Sequence, residues 1–170
     1  MRIIVRPEIC TGCRLCELAC SMRNEGVFSP SKARIRVLKR FPNIDAPLTC
    51  RQCQPAPCAD VCPTGAIRKE LKGNFWVISS EKCIACGKCV DACPFGAITL
   101  DEQTKIATKC DLCKGEPACV DFCLTKAIVL GAPREIAEEK MASLATTMSK
   151  STYELISAIS LKERRSLEFW

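Results

Sequence analysis

Histidine is absent from this chain of 170 residues. Mixed Cys/His zinc fingers, Rieske centres, haem–histidine ligation and histidine acid–base catalysis all go with it. Long apolar runs are missing too. No stretch approaches the roughly 18 consecutive apolar residues of a membrane span. The opening MRIIVRPEIC offers a short apolar strand but neither the apolar core nor the small-residue cleavage site of a secretory signal. These absences lead us to expect a cytoplasmic protein without a membrane span.

Cysteine is what the chain has in abundance, 16 residues in all. In a reducing compartment such a count points to metal binding rather than disulfides. The cysteines fall into four quartets with none left over. Cys10, Cys13, Cys16 and Cys20 read C-x2-C-x2-C-x3-C, followed by Ser21. Cys50, Cys53, Cys58 and Cys62 widen the second gap and end on Pro63. Cys83, Cys86, Cys89 and Cys93, followed by Pro94, match the C-x2-C-x2-C-x3-C-P run by which bacterial ferredoxins hold iron–sulfur clusters. Cys110, Cys113, Cys119 and Cys123 widen the gap again and end on Leu124. Three tails repeat as PTGAI at 63–67, PFGAI at 94–98 and LTKAI at 124–128, an internal repeat that makes a chance match untenable.

Zinc is the inorganic rival, in the form of a zinc-binding interaction module. Structural zinc sites close a tetrahedron from two C-x2-C pairs set apart by a longer spacer. Three closely stepped cysteines and a fourth beyond them suit a cubane better, and the Cys-Pro pairs at 62–63 and 93–94 sharpen that choice. Sixteen ligands in four quartets predict four 4Fe–4S clusters. Spacing alone leaves open which fourth cysteine serves which cluster. Four such sites, each about −2 with its thiolates, would turn the formal charge of +6 into about −2. The lysine and arginine excess then balances cluster charge, and no nucleic-acid partner is expected.

The tails lead into short strands. AITL at 97–100 is expected to pair with KIAT at 105–108, and AIRKE at 66–70 with NFWVIS at 74–79. Stretches such as VDA and VDF, between the third and fourth cysteines, favour one helical turn. RIRVLK at 34–39 alternates like a half-exposed strand. Its basic residues are either a solvated face or a docking surface for an acidic partner. Beyond Leu130 cysteine disappears, and Ala137, Met141, Leu144, Met148, Thr152, Leu155 and Ile159 recur as one face of an amphipathic helix. That helix is expected to cover the chain's own body or to reach a partner subunit or a second copy. No paired acid–base arrangement is visible, and no quartet lacks the cysteine whose loss would open a cluster to substrate. The chain therefore reads as non-catalytic.

All sixteen ligands, the C-P-x-G-A-I tails and the widened second and fourth quartets resemble the four-cluster ferredoxin-like electron-transfer subunits of oxidoreductases, over about residues 1–130. CTGCRLCELAC at 10–20 is most similar to the iron–sulfur subunit of tungsten aldehyde oxidoreductase complexes, or to the ferredoxin-like partner of carbon monoxide dehydrogenase and related hydrogenases. The resemblance implies an α+β fold of two nested ferredoxin-like modules with short β-hairpins around four 4Fe–4S clusters. The outer module would be 1–49 with 105–130 and the inner module 50–104, with 131–170 a helical extension. It also implies a crossed ligation. Cys10, Cys13, Cys16 and Cys123 would hold one outer cluster, and Cys110, Cys113, Cys119 and Cys20 the other. Cys50, Cys53, Cys58 and Cys93 would hold one inner cluster, and Cys83, Cys86, Cys89 and Cys62 the second. IIV at 3–5 would then pair with AIVL at 127–130. The implied role is to relay electrons between a catalytic oxidoreductase subunit and a further redox subunit or carrier. Two departures, Ser21 in place of proline and the Leu124/Lys126 pair in place of proline and glycine, point to altered local turns in the outer module.

Overall fold

The computed structural model describes residues 1–40, 44–71, 73–132 and Met141. The chain divides between Gly131 and Ala132 into two units, and the description that follows concerns the first. Apart from Met141, the expected helix beyond Leu130 lies outside the described residues. Among the described residues no helix is long and apolar enough to cross a membrane.

Among the described residues, four two-stranded antiparallel ribbons, four α-helices and three short 3-10 turns make an α+β body. β4 (Ile67–Glu70) pairs with β5 (Phe75–Ile78), and β6 (Ile98–Leu100) with β7 (Ala107–Lys109), as the hairpin patterns predict. β1 (Arg2–Val5) pairs with β8 (Ile128–Gly131), placing Ile3 opposite Leu130 and joining the two ends of the body. The fourth ribbon departs from expectation in part. β2 (Arg36–Arg40) is the alternating basic strand, but its partner β3 (Ile44–Leu48) carries Pro47 opposite Val37. A ribbon of two strands leaves one edge of each free, so a proline's missing N–H costs no ladder bond there.

The third cysteine of every quartet occupies the second position of a helix. These helices are α1 (Leu15–Glu25), α2 (Pro57–Asp60), α3 (Lys88–Asp91) and α4 (Ala118–Asp121). Three are single turns, as expected. α1 is longer than the sequence pattern suggests, because Ser21 takes the place that Pro63 and Pro94 hold after Cys62 and Cys93. A serine keeps its N–H, so the helix runs on to a glycine cap, where Gly26 adopts φ +69° and donates to the Met22 carbonyl at 3.0 Å. The fully buried Ser21 hydroxyl donates to the Leu18 carbonyl at 3.1 Å and accepts from the Ser29 N–H at 3.0 Å, fixing the chain after the helix.

The other departure does not alter the turn. Gly65 and Gly96 take φ +60° and +57°, and Lys126 takes +56° in the same place. Each donates its N–H to the carbonyl of the fourth cysteine, at 3.3, 3.2 and 3.2 Å. The lysine adopts a left-handed conformation that costs a non-glycine residue about 1–2 kcal/mol. The expectation of an altered turn at 124–126 is therefore corrected: the geometry of the repeat outlasts its residue pattern.

Two apolar cores result. One gathers Ile3, Ile35, Val37, Phe75, Leu112 and Ile128 with Cys16, Cys20, Cys50, Cys110 and Cys119. The other holds Ile67, Ile98, Ala107 and Cys89, with Cys58, Cys62, Cys83 and Cys93 packed against it. Glu17, fully buried on α1, ties the first core together. Its Oε1 accepts from the Val37 N–H at 2.7 Å, and Arg14 lies 2.9 Å from its Oε2. Much of the basic stretch is also used internally. Arg34 ion-pairs with Asp111 at 3.1 Å and Glu25 at 3.6 Å, and Arg36 donates to the Ser31 carbonyl at 2.8 Å.

Candidate functional site

The hairpins and short helices bring cysteines of different quartets into common cavities. Cys50, Cys53 and Cys58 share one with Cys93, walled by Trp76, Pro57, Phe95 and Ile98. Cys83, Cys86 and Cys89 share another with Cys62, walled by Ile67, Ile78, Ile84 and Leu100. Each is a partly open pocket spanning about 350 Å³ of space not filled by atoms, open solvent included. A single zinc ion would need its sulfur ligands drawn in to about 2.3 Å from one centre. Among the described residues, no three cysteine or carboxylate side chains converge to hold a single ion. Four thiols spread around one pocket suit a compact cluster with four metal corners.

Charge coupling between thiols repeats the grouping. After burial, the thiols of Cys50 and Cys93 push up the pKa of both Cys53 and Cys58. Cys83, Cys86 and Cys62 do the same to Cys89. In the first core, burial followed by Cys110, Cys20, Cys113 and Cys16 raises Cys119, and Cys113 stands close enough to Cys20 to raise it as well. The Asn24 amide lies between the last two, 3.6 Å from Cys20 Sγ and 3.9 Å from Cys113 Sγ. Cys10 and Cys13 act on Cys16, and Cys123 packs against the core that contains Cys16. In three of these sets a cysteine from another quartet joins the group.

Burial dominates the thiol chemistry. Desolvation, with Glu17 adding to it, pushes Cys16 up to about 12. Cys110 rises to about 11 despite the Thr49 hydroxyl and Leu112 N–H that favour its thiolate, and Cys58 to about 11 against the pull of Lys109. Cys62 moves the other way. Its slight desolvation is outweighed by the N–H groups of Ile67, Thr64 and Ala66 and by the Thr64 hydroxyl. Buried thiolates need a positive charge, which an iron–sulfur core supplies. The sign for the cluster-free protein follows. These folded-state values lie above the ordinary 9.0, so their stabilising contribution is complete below that pH and is lost as pH rises toward about 11–12. Urea unfolding of iron-free, reduced protein should show a lower midpoint at about pH 10 than at about pH 8. An unchanged midpoint would mean that these thiols are not buried without their metal.

Sequence reasoning missed the polar residues between the cysteine sets. Lys109 is buried at the end of β7, where it donates to the carbonyls of Trp76 and Cys110. Gln52 donates to the same Cys110 carbonyl at 2.9 Å and accepts from the Trp76 N–H at 2.8 Å. The Trp76 indole N–H reaches the Cys53 carbonyl at 2.9 Å. No sequence signal marks these three, because all but one of these bonds reach main-chain groups more than 20 residues away.

A 4Fe-4S dicluster domain model matches residues 44–133, and a 4Fe-4S binding domain model matches residues 7–23. The chain is 45% identical over 121 residues to the polyferredoxin-like subunit of an aliphatic sulfonate oxidoreductase from Pyrococcus furiosus, covering 71% of this chain and 70% of that protein. It is 38% identical over 152 residues to the electron transport protein HydN of Escherichia coli, covering 75% of this chain and 85% of HydN. Among solved structures it is similar to a chain of the BamBC active site complex of benzoyl coenzyme A reductase, at 24% identity and a TM-score of 0.43, over 86% of this chain and 95% of that one. Four-cysteine cavities, a family model spanning more than half the sequence and relatives matched over most of their length lead to one assignment: the chain belongs to the 4Fe-4S dicluster domain family.

Proposed function

We propose that this chain is a non-catalytic subunit that relays single electrons through four 4Fe–4S clusters between a catalytic oxidoreductase subunit and a redox partner. The observation that carries the reading is the pair of cavities, each lined by three cysteines of one quartet and the fourth of another. In this reading Cys50, Cys53, Cys58 and Cys93 hold one cluster, and Cys83, Cys86, Cys89 and Cys62 hold the second. Cys110, Cys113, Cys119 and Cys20 hold the third, and Cys10, Cys13, Cys16 and Cys123 the fourth. The clusters supply one-electron chemistry when bound, and the protein sets each potential through charge, hydrogen bonds and burial.

The order of the relay follows from which thiols neighbour one another. Cys16 acts on Cys119, and Cys50 acts on Cys110. In this reading the Cys10 set adjoins the Cys110 set, which adjoins the Cys50 set, and Cys58 and Cys93 pack against the core that holds the Cys83 set. Cys13 and Cys86 are the exposed cysteines, and they belong to the two ends of that series, where electrons would enter and leave. The names of the relatives, a subunit of an aliphatic sulfonate oxidoreductase and an electron transport protein, support an oxidoreductase assembly. The CTGCRLCELAC opening favours a tungsten or molybdenum aldehyde oxidoreductase type of catalytic partner.

Anaerobic purification from the native source tests the reading. A brown protein with about sixteen iron atoms per chain, bleached by dithionite and accompanied by a catalytic subunit, is the expected result. A colourless protein containing zinc would overturn it.

A further inference from the structure

Three lysines directly precede a cysteine of these sets: Lys82, Lys88 and Lys109. Lys82 and Lys88 are exposed, whereas Lys109 is only 3% exposed. Its ammonium lines the Cys50–Cys53–Cys58–Cys93 cavity and stands 3.7 Å from Cys50 Sγ. It also donates at 2.9 Å to the carbonyl of Cys110, a member of the neighbouring set. Lys109 therefore occupies the junction between two cysteine sets, within the Gln52–Trp76 network.

A buried cation is costly unless it is paired. Among the described residues no carboxylate forms an ion pair with Lys109. Two carbonyls and the Cys50 sulfur take its three donors, but the neutral carbonyls leave its charge unbalanced. The anionic groups around it are thiolates, and with them whatever cluster they hold. Arg51 lines the same cavity, but it is half-buried and its guanidinium sits 5.8 Å from the centre of the Phe95 ring, nearer to solvent screening. Among the described residues, no charged side chain lines the Cys62–Cys83–Cys86–Cys89 cavity.

We infer that Lys109 is a potential-setting residue of the relay, holding a fixed positive charge at the junction of the Cys50 and Cys110 sets and raising the reduction potential of the clusters on either side. The inference rests on the ligand sets proposed above. Reduction adds one negative charge to a cluster that is already anionic, so a nearby buried cation stabilises the reduced state more than the oxidised one. The two middle clusters then hold an electron more readily than the ends, which keeps it inside the protein between encounters with partners. Lys109 acts through its field and its hydrogen bonds and contributes no ligand.

The test uses the full-length protein, purified anaerobically, as wild type, Lys109→Met, Lys109→Gln and Lys109→Arg. Iron and sulfide are counted first, and redox titrations followed by EPR come second. In Lys109→Met and Lys109→Gln, two of the four transitions should move to lower potential, with at least a tenfold fall in the reduced-to-oxidised ratio at fixed ambient potential, which is about 59 mV for one electron. Lys109→Arg should keep the wild-type values. Unchanged potentials in the neutral variants would overturn the inference, as would an equal shift in Lys109→Arg. If Lys109→Met loses iron, the comparison of Lys109→Gln with Lys109→Arg decides by the same criterion. Loss of iron from both neutral variants would make Lys109 a residue that holds the cluster in place, and would also overturn the inference. A wild-type protein without iron–sulfur signals would instead sink the ligand sets themselves.

Discussion

Replacing Cys93 by alanine should abolish the cluster whose other ligands are Cys50, Cys53 and Cys58, and leave the cluster of its own quartet in place. In sequence Cys93 belongs with Cys83, Cys86 and Cys89. In space it lines the cavity of the second quartet, and its charge acts on Cys53 and Cys58. The turn after it depends on its carbonyl, which accepts the Gly96 N–H at 3.2 Å, so alanine keeps the backbone while removing the ligand. Iron and sulfide should fall by about a quarter, one cluster in four. The position of the loss is read by comparison. Cys93→Ala and Cys53→Ala should remove the same EPR transition, and Cys86→Ala a different one. If Cys93→Ala matched Cys86→Ala instead, the crossed ligation would be wrong.

The second large effect is expected at the ends of the body. Ile3 is fully buried, pairs with Leu130 across β1 and β8, and packs in the core that contains Cys16, Cys20, Cys110 and Cys119. Trimming such a side chain to alanine costs about 2–5 kcal/mol, a large part of the about 5–15 kcal/mol that holds a typical domain together. The loss should not be shared equally. The second core, around Ile67, Ile98 and Cys89, does not include Ile3. Under a chelator challenge, Ile3→Ala should release iron first from the Cys10 and Cys110 sets and last from the Cys83 set. Uniform release at the wild-type rate would show that the two cores do not hold their clusters separately.

Much of the fold can be read directly from the residues. β4–β5 and β6–β7 are local hairpins whose apolar tails repeat, and the IIV and AIVL segments at the two ends are compatible in length and pattern. The β2–β3 ribbon was half legible. Arg36–Arg40 alternates as a strand should, but the prolines at 42 and 47 hid its partner, because a proline signals interruption when the strand's free edge is unknown. The length of α1 was hidden by a similar ambiguity. Only with the chain folded is it clear that Ser21 supplies both a helical N–H and a buried hydroxyl that holds Ser29. At Lys126 the residue pattern misled in the opposite direction, since neighbouring structure imposes on a lysine the turn that Gly65 and Gly96 adopt freely.

The sequence by itself determined the chemistry: sixteen cysteines, no histidine, and spacings that suit cubanes rather than single ions. Spacing acts over a few residues, within the reach of one loop, so it survives without knowledge of the fold. Tertiary structure decided what those cysteines share and what surrounds them. It brought Cys93 to the Cys50 set and Cys62 to the Cys83 set, over separations that no local rule spans. It also separated three lysines that look alike in sequence. Lys82 and Lys88 face water, while β7 packs against β5 and turns Lys109 inward onto the Trp76 carbonyl. Burial is a property of the packed chain, and burial gives a single charge its influence over the clusters beside it.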